Sequence, residues 1–143
     1  MASPAERTEV LRRLSARQRA LFLRVETLYR DALFAPPSPR EAADQLQVPV
    51  SAVHAMLDLG AEMGTLVPAG PTVAFHSEAI ERARQIAVRE ILETGSLTPA
   101  RFRDLAGVTR KHAIPLLECL DRAGITQRVN GSRVLCERED GAP

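Results

Sequence analysis

Much of this chain is written twice. Placing Ser38-Pro39 over Thr98-Pro99 aligns the sequence with itself at an offset of sixty residues, and no gap is needed as far as Phe75 over Leu135. Ala42 then meets Phe102, Leu46 meets Ala106, Val48 meets Val108, Met56-Leu57 meets Leu116-Leu117, and Gly64 meets Gly124. Identities are few, but the apolar and polar classes keep step, and it is the class pattern that decides which side chains can share a core. A period this long implies two copies of one compact unit and not a solenoid. The 143 residues leave room for two such small domains.

Each copy reads as helix, helix, turn, helix, hairpin. In the second copy Ile80, Ala83, Ala87, Val88, Ile91 and Leu92 recur at helical spacing and stop at Gly95. Thr98 then offers an N-cap and Pro99 the favoured first helical position, and Gly107 ends a short helix through Phe102 and Leu105. The matching start in the first copy, Ser38-Pro39-Arg40-Glu41, is a capping box. Thr109 is expected to cap a third helix with Ala113, Leu116, Leu117 and Leu120 on one face and Gly124 at its end. Asn130-Gly131 between two apolar-rich stretches is a strong type I′ hairpin signal.

Three helices followed by a hairpin, the second and third joined by a tight turn, make a winged helix-turn-helix. The expected fold is therefore mainly α with small β-hairpins, as two tandem winged helix-turn-helix domains. Their expected bounds are 15–76 and 77–137, with a flexible segment over 1–14 and a flexible tail over 138–143.

Charge separates the copies. Net charge is only +1, but residues 1–19 carry +3, residues 20–75 carry −3, and residues 96–135 carry seven basic against three acidic side chains. Lys111 is the only lysine, and arginine is the better partner for bidentate phosphate and base-edge contacts. At about 100° per residue, Lys111, Glu118 and Arg122 lie opposite the apolar face of the third helix, with Arg110 and His112 flanking its first turn. Free N–H groups and the positive end of the helix dipole already suit that turn to phosphate. Glu118 and Asp121 further along would repel phosphates, so a nucleic acid is expected to meet the tip of this helix and not its length.

The hairpin should pair Val129 with Ser132, Arg128 with Arg133 and Gln127 with Val134. With Ile125, Val129 and Val134 inward, Arg128 and Arg133 would stand side by side on the outer face, an unfavourable pairing unless an anion lies between them. The first copy has Val50, Ser51, Pro68 and Val73 where the second has Arg110, Lys111, Arg128 and Arg133. It reads as a scaffold or protein-contact module and the second copy as the reader.

Other chemistry is not indicated. Cys119 and Cys136 have no zinc-site or disulfide-framework spacing, His54 and His76 read as structural or linker residues, and no phosphate-binding loop is present. Asp104, Glu118 and Asp121 lie amid arginines and are expected to pair with Arg101, Arg103 or Arg122. No metal, cofactor or catalytic residue is expected. No apolar run approaches the roughly 20 residues that cross a bilayer, and the N-terminus lacks the apolar stretch of a signal peptide, so a cytoplasmic protein is expected.

The run Thr109-Arg110-Lys111-His112-Ala113-Ile114-Pro115-Leu116-Leu117-Glu118, with Arg103-Asp104-Leu105 before it and Leu120-Asp121-Arg122, Gly124-Ile125-Thr126, Arg128-Val129 and Arg133-Val134-Leu135 after it, resembles the last winged-helix domain of the bacterial selenocysteine-specific elongation factors, the SelB family. Residues 14–75 look like the domain before it. The resemblance implies a domain that grips the selenocysteine insertion hairpin of a messenger RNA at a recoded UGA. It also implies the ribosome as a further contact and, in a full-length factor, a GTPase with selenocysteyl-tRNA. Carried over, Arg110, Lys111, Arg128, Asn130 and Arg133 would contact the hairpin, and His112 could stack on a splayed base. Arg101 and Arg103 complete the candidate set. The family pattern has Ser at Thr109, Tyr at His112, an aromatic at Cys119 and Arg at Gln127.

Two other readings use the same fold. A DNA-binding winged-helix regulator would read duplex as a symmetric dimer, and the sequence offers no added dimerisation helix, so a monomer is expected. A winged helix that has lost nucleic-acid binding would serve as a protein-interaction module.

Overall fold

The computed structural model describes residues 2–136. The chain divides into two compact units, residues 1–79 and 80–143. The division falls three residues beyond the expected boundary, inside a helix.

Unit 1 opens with a helix where a flexible segment over 1–14 was expected. Helix α1 (Pro4–Arg12) starts at Ser3, whose hydroxyl accepts from the Glu6 N–H at 3.1 Å. Its Val10 is buried in the unit's core, and Arg13 just beyond it pairs with Glu62 at 3.0 Å. Val10, with the partly buried Leu11 packed against the same core, is a short apolar pair in a charged stretch, which leaves little periodicity to read. The expected tail over 138–143 lies outside the described residues.

Helix α2 (Ala16–Ala32) begins in a capping box between Ser15 and Gln18 and buries Phe22, Val25 and Tyr29. Helix α3 (Pro39–Leu46) has the expected box, with Glu41 Oε1 accepting from the Ser38 N–H at 2.8 Å and Ser38 Oγ accepting from the Glu41 N–H at 3.1 Å. Helix α4 (Val50–Met63) ends at Gly64, whose φ of 79° only glycine adopts freely. Strands β1 (Leu66–Pro68) and β2 (Ala74–His76) form an antiparallel hairpin.

Helix α5 (Ser77–Thr94) follows β2 directly and buries Ala79, Ala83, Ala87 and Ile91. Leu92, read from periodicity as part of this apolar stripe, is instead 72% exposed. Helix α6 (Pro99–Ala106) is capped by Thr98, whose hydroxyl accepts from the Arg101 N–H at 3.1 Å. Helix α7 (Arg110–Arg122) runs through Pro115 as one element and buries Ala113, Leu116, Leu117 and Leu120, as its periodicity requires. Strands β3 (Thr126–Val129) and β4 (Ser132–Leu135) pair in the expected register, with Asn130 and Gly131 at φ 52° and 82°, the positive values a type I′ turn demands. Leu97 adds a single bridge to the outer side of β4, exchanging N–H···O bonds of 2.9 and 2.7 Å with Arg133.

The sixty-residue offset holds element by element from α3 over α6 to β1 over β3. It slips in the second strand of the hairpin. Leu66 pairs with His76 whereas Thr126 pairs with Leu135, because residues 69–73 form a longer connection than Asn130-Gly131. By register Ala74, opposite Pro68, is the counterpart of Arg133, opposite Arg128. The copies also fill their cores differently. A Cβ on Gly60 would fall on the Leu66 side chain, while the matching positions in unit 2 carry Leu120 and Thr126, both buried. In unit 1 the absence of a side chain at residue 60 makes the room that Leu66 fills.

Candidate nucleic-acid interface

Unit 2 presents two cationic features on adjoining elements. Arg110 and Lys111 form the exposed first two residues of α7, and Arg128 is exposed on β3, which packs against α7. No ion pair among the described residues holds Arg110, Lys111 or Arg128. Asn130 is exposed at the turn beyond them, and His112 is half-buried in the first turn of α7. Thr109 occupies the N-cap position with extended backbone, but its hydroxyl accepts no bond from the helix, contrary to the expected cap. Its carbonyl does accept from Ala113 at 2.9 Å, so the helix starts there without side-chain help. The His112 N–H is taken by the same carbonyl at 3.1 Å, which leaves the N–H groups of Arg110 and Lys111 as the donors at this tip.

Arg133 is not part of that surface. Arg128 and Arg133 do face each other across the hairpin, but on the inner side of the sheet, with Thr126 and Leu135; Val129, expected inward, is exposed. Arg133 is 2% exposed, and its Nη2 donates to Asp121 Oδ2 at 3.0 Å. The other carboxylate oxygen of Asp121 accepts from Thr126 Oγ1 at 2.6 Å. The expected outer clip of two arginines around an anion is therefore not formed. A counter-charge from α7 takes the place of the anion and relieves the like-charge pairing.

The remaining predicted residues divide. Arg101 Nε donates to Glu90 Oε2 at 3.0 Å, an ion pair across α5 and α6 with Glu90 almost fully buried. Glu90, a helical acid on an otherwise apolar face, gave no sequence signal as that partner. Arg103 is half-buried on α6 with no ion pair among the described residues. Asp121 does not pair with Arg101, Arg103 or Arg122 as expected; Arg122 donates instead to Cys119 Sγ at 3.2 Å. Burial pushes the Cys119 thiol above its ordinary pKa, with Arg122 opposing, so it is a poor nucleophile or metal ligand. Among the described residues no group of three or more His, Cys, Asp or Glu is placed to hold a metal ion, and no helix is long and apolar enough to cross a membrane.

The family described as elongation factor SelB, winged helix, matches residues 89–135, which span the end of α5, α6, α7 and the β3–β4 hairpin. The solved mRNA-binding domain of E. coli SelB, in complex with SECIS RNA, superposes with a TM-score of 0.74 at 27% identity, covering 86% of this chain and 99% of that one. The chain resembles the C-terminal winged-helix domains of SelB. The 86% share exceeds either unit alone, so the likeness to the SelB domain runs through both. A selenocysteine-specific elongation factor from Desulfomicrobium baculatum is 31% identical over 126 residues, which is 87% of this chain. The chain spans only about a fifth of that relative's length. The crystal structure of a bacterial selenocysteine-specific elongation factor, EF-Sec, shares the fold at a TM-score of 0.61 and 20% identity, over 87% of this chain and 19% of that one.

Proposed function

We propose that this chain binds a hairpin in messenger RNA, the selenocysteine insertion element, through the tip of α7 and the β3–β4 wing. The observation that carries the reading is the exposed set Arg110, Lys111, Arg128 and Asn130 on two packed elements, in a chain similar to a SelB domain solved with SECIS RNA. Cations at a helix N-terminus hold phosphates, and the polar turn and half-buried His112 reach unstacked loop bases. Arg103 can extend the contact from α6, whereas Arg101 is occupied by Glu90 and Arg133 by Asp121.

Unit 1 serves as support. Val50 and Ser51 begin its α4, and Pro68 and Ala74 stand at the places of Arg128 and Arg133, so the cations of unit 2 have no counterparts there. The chain works as a binding module in the cytoplasm and is not itself an enzyme. In a full-length factor of this kind, GTP hydrolysis and delivery of selenocysteyl-tRNA fall to other domains, and the bound hairpin tethers them at the recoded UGA on the ribosome. The decisive experiment is filter binding of an insertion-type RNA hairpin against duplex DNA of equal length. Preference for the hairpin is expected; preference for duplex DNA supports a transcription regulator, and binding of neither supports a protein-interaction module.

A further inference from the structure

We propose that Asp121, Thr126 and Arg133 form a positioning clamp that sets Arg128 and Asn130 for RNA recognition, a role that rests on the RNA-binding reading above. Asp121 lies in the last turn of α7, and both of its carboxylate oxygens are used, one by Thr126 on β3 and one by Arg133 on β4. One side chain thus ties both strands of the wing to the helix whose other end carries Arg110 and Lys111. Arg133 is fixed a second way, because its backbone N–H and carbonyl both bond to Leu97. Four residues separate Arg133 from Arg128 around the turn, so holding the base of the hairpin fixes where its basic tip stands.

The comparison within the chain separates positioning from mere folding. At the corresponding places unit 1 has Ala61, Leu66 and Ala74, three apolar residues, and it forms the same helix-hairpin arrangement. The fold therefore does not require an ionic link here. An arginine buried with one carboxylate partner, its Nε without a hydrogen bond, is a costly way to fill a core that alanine fills in the other copy. The expensive arrangement occurs in the copy whose wing carries Arg128 and Asn130. Ionic and hydrogen-bonded links are directional where apolar contacts are not, so they fix one orientation of the wing among several of similar packing.

The test is RNA-hairpin affinity over a salt series for the full chain and for Asp121→Asn, Arg133→Met, Arg133→Lys and Thr126→Val, with thermal unfolding as the check on folding. Arg133→Met is expected to weaken binding roughly tenfold or more, as loss of an orienting partner does at other ligand sites. The slope of log affinity against log salt should stay at the parent value, because Arg133 meets no phosphate. Arg133→Lys keeps the charge on Asp121 and should recover most of the loss. Thr126→Val, the mildest change, should fold normally, bind less tightly and leave the slope unmoved. Folded Arg133→Met and Thr126→Val proteins that bind like the parent overturn the clamp. A slope reduced as far as in Lys111→Ala overturns it also, by making Arg133 a direct contact. If the parent itself ignores the hairpin, the functional reading fails and takes the clamp's role with it; a binding parent with unaffected variants defeats the clamp alone.

Discussion

Removing Lys111 or Arg128 reads out how many charges meet the RNA. Residues 96–135 contain seven basic side chains, and if all met phosphates the slope of log affinity on log salt would reach about 5 to 6, at roughly 0.7 to 0.9 per contact. The folded protein removes three of them. Arg133 is buried on Asp121, Arg101 is held by Glu90, and Arg122 bonds Cys119 at the far end of α7, about 18 Å from Arg110 at 1.5 Å per residue. Arg103, Arg110, Lys111 and Arg128 remain, which limits the slope to about 3 to 4. Affinity should then fall roughly a hundredfold between 50 and 200 mM salt. Lys111→Ala and Arg128→Ala should each lower the slope by somewhat under about one, and Ser51→Ala in unit 1 should leave it alone. Fluorescence anisotropy with a labelled RNA hairpin over a salt series measures all three. A parent slope near six, or slopes untouched by both unit 2 substitutions, would refute the assignment of the interface to this tip.

Three further predictions concern unit 1. Gly60→Ala places a Cβ 2.7 Å from the Leu66 Cβ, which no rotamer change can relieve; overpacking of about 1–3 kcal/mol outweighs a helix-propensity gain of about 1 kcal/mol, so calorimetry should show a lower melting temperature. His76 has its pKa lowered by burial, against the pull of Glu26 and Glu78 and with a small push from Arg30, and its Nδ1 accepts the Glu78 N–H at 3.0 Å. The unfolded state therefore takes up more protons in acid, so urea midpoints should fall as pH drops below about 6.5, and His76→Gln should flatten that dependence. Tyr29 is fully buried with its hydroxyl unpartnered among the described residues, and burial, then Glu41, pushes its pKa up to about 12. Tyr29→Phe should be neutral or stabilising by up to about 1 kcal/mol in urea denaturation, and a clear loss would mean the hydroxyl has a partner.

What the sequence made legible is what short-range chemistry decides. The Ser38 box, the Thr98 cap and the Asn130-Gly131 turn each fix a local backbone conformation, and each is found where the residues place it. Helical periodicity chose the buried face of α7 correctly because four apolar residues vote for it. The wing was different. Strand alternation tells which residues share a face but not which face is inside, and Val129 and Val134 outvoted Thr126 and Arg133 on hydrophobicity alone. The side is decided by Asp121, a residue of another element whose carboxylate makes the interior habitable for an arginine. Leu97 carries no sequence signal because a single bridging residue has no period. At α1 the adjacent pair Val10 and Leu11 is too little to announce a helix that the core nevertheless holds.

The two copies show how one fold can be split between support and recognition without altering its frame. Apart from the added α1 of unit 1, both keep three helices and a hairpin, and α4 and α7 bury the same stripe. They differ where that helix meets the hairpin: Ala61, Leu66 and Ala74 in unit 1, Asp121, Thr126 and Arg133 in unit 2. They differ again at the tip, where Val50 and Ser51 stand against Arg110 and Lys111. A flexible wing costs binding energy when it is ordered on a ligand, whereas a wing already held in place does not incur that cost. An ionic link inside and free cations outside are thus two halves of one requirement, since charges at the surface recognise a folded RNA only if their spacing is set before it arrives.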